Sequence, residues 1–254
     1  MIYTHDKQLC DVLDEYWRDF KKKHGRKDIL NHSIPIVWFG DMEAYTKSQL
    51  KIVTIGLNPS NHEFYNDDGT ESNRFSDITT LTNCSKLVDR AREILVANYN
   101  NYFKVNPYKK WFDNYKDILN IFSADYYGTA ENTAIHIDLE TSLATNPTWS
   151  KLTNEEQESI RDRDLSIKLL DYLKPDIMLI SANKKVRNFL VGESMPFYET
   201  YVINGQEIMG YDIEGKLYIY GTNSQFAPFA YNFSQKRVDV IREIFDQWLE
   251  IKKP

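Results

Sequence analysis

An α/β fold, three layers with a mainly parallel central sheet, is predicted by three observations. Short β-branched or apolar runs recur at Ile52–Ile55, Ala134–Leu139, Asp176–Ser181 and Leu217–Tyr220. Stretches of helical period separate them through most of the chain. Runs that are apolar on both faces belong in a sheet covered on both sides, where parallel strands are joined by helices. The 254 residues, 42% of them hydrophobic, suffice to bury a full core. No internal repeat, low-complexity tract or linker divides them. We therefore expect one domain over residues 1–254, with residues 1–40 as an N-terminal extension packed on it.

The elements follow in order. Leu9, Val12, Leu13, Tyr16, Trp17 and Phe20 fall at helical spacing, predicting an amphipathic helix over 5–22. Ile34–Phe39 is a short apolar run around Pro35 and reads as an edge strand. The strand at 51–56 ends at Gly56, and Asn58-Pro59-Ser60 turns away from the sheet into a polar loop reaching about residue 73. Helices are expected at 85–98 and from Pro107 through Phe122. In the next strand, 132–139, His136 and Asp138 share one face and Ile135 and Ile137 the other. Thr153 and Glu156 form a capping-box pattern opening a helix over 153–173, which Pro175 ends. A strand at 176–181 and a helix at 183–191 come next. Residues 197–213 read as a hairpin around Asn204-Gly205. The strand at 217–220, its loop at 221–226 and a helix at 234–251 close the series.

Composition narrows function. No apolar run has the length of a membrane span, and no signal-peptide pattern opens the sequence. Two cysteines, Cys10 and Cys84, without a Cys-x-x-Cys argue against a zinc site or an iron–sulfur cluster and suit a reducing cytoplasm. No metal-ligand spacing, phosphate loop or Gly-x-Ser-x-Gly elbow is present, so we expect neither cofactor nor metal. The net charge of −6 disfavours coating nucleic acid over the whole surface, but leaves room for a local grip on a few phosphates. Basic clusters at Lys21–Lys27 and at Lys184, Lys185 and Arg187 read first as solvated faces.

Ligands of open α/β sheets sit beyond the carboxyl ends of the strands. Three polar loops leave strand ends here: Gly56–Ser60, Asp138–Thr145 and Gly221–Phe226. In this order they resemble the uracil-DNA glycosylase superfamily over about residues 50–250. Gly56-Leu57-Asn58-Pro59-Ser60 is similar to the first motif in its Gly-x-Asn-Pro form, found in the mismatch-specific and single-strand-selective branches. Asn73-Arg74-Phe75 is similar to the Asn-Arg-Phe that follows in the mismatch-specific branch. Asp138 falls where the family carries its base-reading Asn. Asn223-Ser224 departs from the second motif by lacking its proline.

The resemblance implies a monofunctional DNA glycosylase that flips a base into a pocket and hydrolyses its glycosidic bond. Asn58 would position the water, since an amide orients better than it abstracts protons. Asn223 would donate to the base O2 as charge builds there. Phe64 or Tyr65 would stack on the base, and Phe226 would fill the vacated stack. Gly56 and Ser60 would line the base site, and Arg74, Ser224 and Gln225 would meet DNA. DNA would be the partner, with the protein a cytoplasmic monomer, free of membrane.

Two departures bear on substrate. Ser60 stands where the uracil-specific branch has a bulky Tyr, leaving space at the base 5-position. Asp138 replaces an amide that would match uracil. A carboxylate only accepts, which suits the N4 amino group of cytosine and repels O4 of uracil. Cytosine N3 is also an acceptor, so a shared proton is required. A cytosine-type base enlarged at C5 is therefore expected, which extends to defence against phage DNA that carries such bases. Asp138 has other readings: it orients a water or His136, or it is the catalytic carboxylate. His136 reads first as a satisfied strand histidine, and His62 as a phosphate contact. Asp67, Asp68 and Glu71 read as solvated, with one of them available to assist Asn58. Uracil or mismatch repair, a non-catalytic base reader on the same fold, and an enzyme of free nucleosides or nucleotides remain alternatives.

Overall fold

Ile52, Val53, Thr54 and Ile55 are almost wholly buried and form a strand ending at Gly56 in the computed structural model, which describes residues 6–66, 68–72, 74, 75, 78, 80–199, 206–222 and 235–253. Among the described residues the helices are α1 (Lys7–Lys23), α2 (Met42–Lys47), α3 (Asp89–Val105), α4 (Lys109–Phe112), α5 (Lys116–Asn120), α6 (Asn154–Ile160), α7 (Arg163–Leu173), α8 (Lys184–Val191) and α9 (Gln235–Ile251). The strands are β1 (Ile52–Gly56), β2 (Ala124–Asp125), β3 (Asn132–Asp138), β4 (Ile177–Ala182), β5 (Tyr198–Glu199), β6 (Ile208–Ile213) and β7 (Lys216–Thr222). The fold is α/β, about 48% helix, with one seven-stranded, mostly parallel mixed sheet, consistent with the expected three-layer class.

The chain forms two compact units that alternate along the sequence. One comprises Met1–Asp41, Leu57–Tyr108 and Ile137–Lys174; the other comprises Met42–Gly56, Lys109–His136 and Pro175–Pro254. The second unit carries the sheet, in the order β2-β3-β1-β4-β7-β6-β5. β1 pairs parallel with β4, β4 parallel with β7, and β2 parallel with β3. β5, β6 and β7 are antiparallel neighbours. The β6–β7 turn is Glu214-Gly215, both at positive φ (53° and 75°), the conformation of a type I′ hairpin. α9 packs over β6 and β7. A Cβ on Gly210 would lie 2.7 Å from Ile244 Cγ2, so glycine is what admits the helix so close to the strand.

The unit outside the sheet is built on helices and aromatic rings. α1 is capped by Asp6, which accepts from Leu9 N at 3.1 Å, and packs on α7. α3 presents Tyr99 and Tyr102 to an aromatic cluster. Trp38 meets Tyr99 at 5.0 Å between ring centroids, Phe39 meets Tyr102 at 4.8 Å, Phe75 stacks on Tyr102 at 5.5 Å and Phe64 lies 5.9 Å from Phe75.

Several elements differ from expectation. Ile34–Trp38 is irregular backbone: Pro35 lacks a donor, and Ile36 N bonds singly to Ser142 O. The helix expected over 85–98 begins later and extends to Val105. Residues 109–120 break into α4, a 3-10 turn and α5, with Asn114 Nδ2 turned back onto Lys110 O and Trp111 O. The helix expected over 153–173 is two. Its capping box is present, but Arg161 is extended and Asp162 N bonds to Glu140 O instead of continuing α6. The hairpin partners β5 and β6 pair as expected, while its turn, 200–205, lies outside the described residues. Among the described residues no helix is long and apolar enough to cross a membrane.

Candidate active site

The site grows from two loops of the helical unit, one following β1 and one following β3. Gly56 is buried at the end of β1. Leu57 O then accepts from Glu140 N at 2.9 Å and Thr141 N at 3.3 Å. Asn58 Nδ2 donates to Pro59 O at 2.9 Å and to Thr145 Oγ1 at 3.5 Å. These bonds stitch the two loops side by side and fix the half-buried Asn58 against the second one. Ser60 caps the 3-10 turn Asn61–Glu63, its Oγ accepting from His62 N at 3.2 Å.

The second loop is held from below by charge. Glu140, 2% exposed, is gripped by the Arg161 and Arg163 guanidinium groups. Asp162, 6% exposed, accepts from Ser142 N at 2.9 Å and Ser142 Oγ at 2.7 Å. Burial pushes the Asp162 carboxyl up to about 7, against the pull of the Ser142 hydrogen bonds and Lys23. This explains the helix break: Arg161 and Asp162 are spent on the loop. Asp138 is buried, and its carbonyl accepts from Ser166 Oγ at 3.2 Å, which in turn meets Tyr16 OH at 3.1 Å.

Glu63 is the functional candidate that sequence reading missed. It is 2% exposed, inside the aromatic cluster, and its Oε2 accepts from Tyr102 OH at 2.7 Å. Burial pushes its carboxyl up to about 8; the Tyr102 hydrogen bond and the Arg74 charge pull it down, and the Asp138 charge pushes it up again. The available signal was local: Glu63 precedes the apolar Phe64, whereas Asp67 and Asp68 sit among polar residues.

No protein-family model and no curated protein matches the chain. The reading of the site therefore stands on its geometry and on the motif likeness.

Several expected residues have other work. Phe64, 4% exposed, is packed on Phe75 in the core and offers no face for stacking. Tyr65 is half-buried, donating from its OH to Asn31 O at 3.4 Å, and is the better placed of the two rings. Arg74 turns inward: Nη1 donates to His62 O and Ser72 Oγ, both at 2.8 Å, and the guanidinium lies over Tyr108, 5.6 Å from the ring centroid. It serves the Glu63 environment and the loop rather than an external phosphate. His62 stacks on Tyr108 at 4.9 Å. Asp68 accepts from Thr70 N and Oγ1, and Glu71 is exposed.

His136, on the sheet, is buried with Nδ1 2.8 Å from Thr54 Oγ1 and its ring edge-on to Phe112, as a satisfied strand histidine. Part of each basic cluster is engaged within the protein, while Lys22, Lys27 and Lys185 are exposed. Lys21 donates to Thr82 O, Lys23 to Ile160 O and Arg161 O, and Arg26 to Asp28, while Lys184 and Arg187 both pair with Glu207. Asn223, Ser224, Gln225, Phe226, Asp67 and Asn73 lie outside the described residues. Among the described residues no group of three or more His, Cys, Asp or Glu could hold a metal ion.

Proposed function

We propose that the protein is a DNA glycosylase, excising a flipped cytosine-type base with water as nucleophile and leaving an abasic site. The observation that carries this reading is the stitching of the two motif-bearing loops. Leu57 and Asn58 are bonded to Glu140, Thr141 and Thr145, two to seven residues beyond Asp138. A water-positioning amide and a base-reading carboxylate are wanted at neighbouring loop origins for this chemistry. Asn58 orients the water. Asp138 accepts from the base amino group, and Ser60 leaves room at C5. Asn223, by the motif likeness, donates to O2. No lysine falls in the three loops, so a Schiff-base lyase step is not part of the proposal. The protein would work as a cytoplasmic monomer on DNA, and bases enlarged at C5 make phage genomes its target in a defence role.

The test is a panel of single-stranded and duplex oligonucleotides carrying uracil, a thymine mismatch, cytosine, 5-hydroxymethylcytosine and its glucosylated form. Abasic sites are read by alkaline cleavage. Cleavage confined to cytosine-type bases is expected. Asn58→Ala should lower the rate about 10²-fold with the fold retained; an unchanged rate removes its assigned role. Cleavage of uracil alone would discard the substrate assignment.

A second reading is favoured by one observation. Lys21, Lys23, Arg26, Lys184 and Arg187 are all engaged internally, which suits hydrolysis of a free nucleoside as well as of DNA. Turnover of nucleosides without salt-dependent oligonucleotide binding would select it.

A further inference from the structure

One helix grips the end of β3 and its loop twice. Asp138 O accepts from Ser166 Oγ at 3.2 Å, and further along the loop Ser142 N and Oγ donate to the Asp162 carboxylate at 2.9 and 2.7 Å. Asp162 is the N-cap residue of α7 and Ser166 lies one turn later, so both grips stand on one side of the helix. A serine inside a helix has a competing use for its hydroxyl, the carbonyl four residues earlier. Ser166, wholly buried, donates to Asp138 instead.

Counting hydrogens gives this grip a direction. A serine hydroxyl carries one hydrogen. Ser166 places it on Asp138 O, so in the 3.1 Å contact between Tyr16 OH and Ser166 Oγ the phenol is the donor. The bonds run from Tyr16 O–H to Ser166 O–H to Asp138 C=O, that is, from α1 through α7 to the end of β3. Tyr16, Ser166 and Asp138 are 2%, 0% and 6% exposed, so water does not compete and each bond polarises the next. Burial raises the Tyr16 hydroxyl well above the ordinary phenol range, so it remains a donor near neutral pH. Lys23, two turns after Tyr16 on α1, donates to Ile160 O and Arg161 O at 2.9 and 3.0 Å, just before Asp162. α1 therefore backs both grips.

We propose that Tyr16 is a specificity-determining positioning residue: by holding Ser166 on Asp138 O, it fixes the strand end from which the Asp138 carboxylate reads the base. The inference rests on the glycosylase reading above. It makes α1 part of base recognition, although Tyr16 touches neither base nor water in this scheme. Without the phenol, Ser166 Oγ turns back toward its own helix and Asp138 O loses its anchor. A carboxylate held in one place rejects O4 of a uracil-type base; a mobile one rejects it less.

The test compares two oligonucleotides whose bases differ only at the pairing edge, 5-hydroxymethylcytosine and 5-hydroxymethyluracil. Tyr16→Phe should lower the ratio of their kcat/KM values for abasic-site formation about 5- to 10-fold, the worth of one buried hydrogen bond. Ser166→Ala should lower it as far. Adding Tyr16→Phe to Ser166→Ala should change it no further, because the chain of bonds is already cut. A purely structural role lowers both rates alike and leaves the ratio where it was. Tyr172→Phe is the control: Tyr172 OH donates to Asp6 Oδ2 at 3.2 Å, tying α7 to the start of α1 without joining the Asp138 chain, and its loss should leave the ratio unchanged. Hydrogen exchange of the Glu140 and Thr141 amides, which bond to Leu57 O, reads the same loop without substrate. It should quicken in Tyr16→Phe and Ser166→Ala beyond what global destabilisation in urea accounts for, and not in Tyr172→Phe.

An unchanged ratio in Tyr16→Phe, an equal fall in Tyr172→Phe, additive effects in the double variant, or unaltered exchange at Glu140 and Thr141 overturns the inference and leaves the glycosylase reading standing. A 5-hydroxymethyluracil rate that stays undetectable in Tyr16→Phe counts as an unchanged ratio. Excision of uracil-type bases alone also overturns the inference. No abasic product from any oligonucleotide overturns both.

Discussion

Glu63 and Glu140 are the same residue type, equally buried, in two loops of one unit, and their neighbours differ. Glu140 is clasped by two guanidinium groups from Arg161 and Arg163. Glu63 has one phenol, one arginine already bonded elsewhere, and a second carboxylate in range. The first arrangement is a fastener: it ties the loop after β3 to the chain between α6 and α7. The second retains a proton where a surface carboxyl would have given it up. Burial alone therefore does not tell what an acidic residue does; the count and sign of its neighbours decide.

The contrast can be broken most forcefully at the fastener. Glu140→Ala leaves two part-buried guanidinium groups without the buried carboxylate they share and should cost about 3 kcal/mol in urea unfolding. A cost below about 1 kcal/mol would mean that the clasp is not what holds the loop. At Glu63 the expected sign is opposite. Its carboxyl is raised from 4.5 to about 8 in the folded protein. The unfolded chain releases that proton from about pH 4.5 upward and the folded protein does not, so the residue weakens folding progressively between about pH 4.5 and pH 8. Below that window it costs nothing by this route, and above it the cost is constant. Glu63→Gln should therefore gain stability over wild type on the order of 2–3 kcal/mol at neutral pH, and the gain should fade toward pH 4.5. A gain independent of pH would show that Glu63 does not titrate there. The smallest effect belongs to the outer support. Thr153→Ala removes the capping box of α6, the helix leading to Arg161, and should cost about 1 kcal/mol with activity unchanged.

The same two loops show what sequence alone makes legible. The buried run Ile52–Ile55, the strand carrying His136 and Asp138, the Thr153–Glu156 capping box and the stop at Pro175 are local patterns, and each has its expected element. The break between α6 and α7 is not local: it is set by Ser142 and Glu140, about twenty residues earlier, which claim Asp162. The β6–β7 pairing turns on Glu214, whose positive φ only its hairpin context explains. Within the site, Asn58 and Asp138 stood out because strand ends announce themselves. Glu63 did not, because its hydrogen-bond partner Tyr102 lies 39 residues away in the chain. Arg74 and Phe64 turn inward for the same reason: motif position says where a residue sits in the chain, and packing decides which way it faces.

The alternation of the two units has a consequence for how such a protein is inherited and built. The chain passes between them five times, at 41/42, 56/57, 108/109, 136/137 and 174/175. Neither unit is a contiguous stretch of gene, so recombination cannot lend one to another protein or borrow a replacement. Each unit also closes only after distant segments have been synthesised, which favours slow, late assembly over folding from the ribosome in instalments.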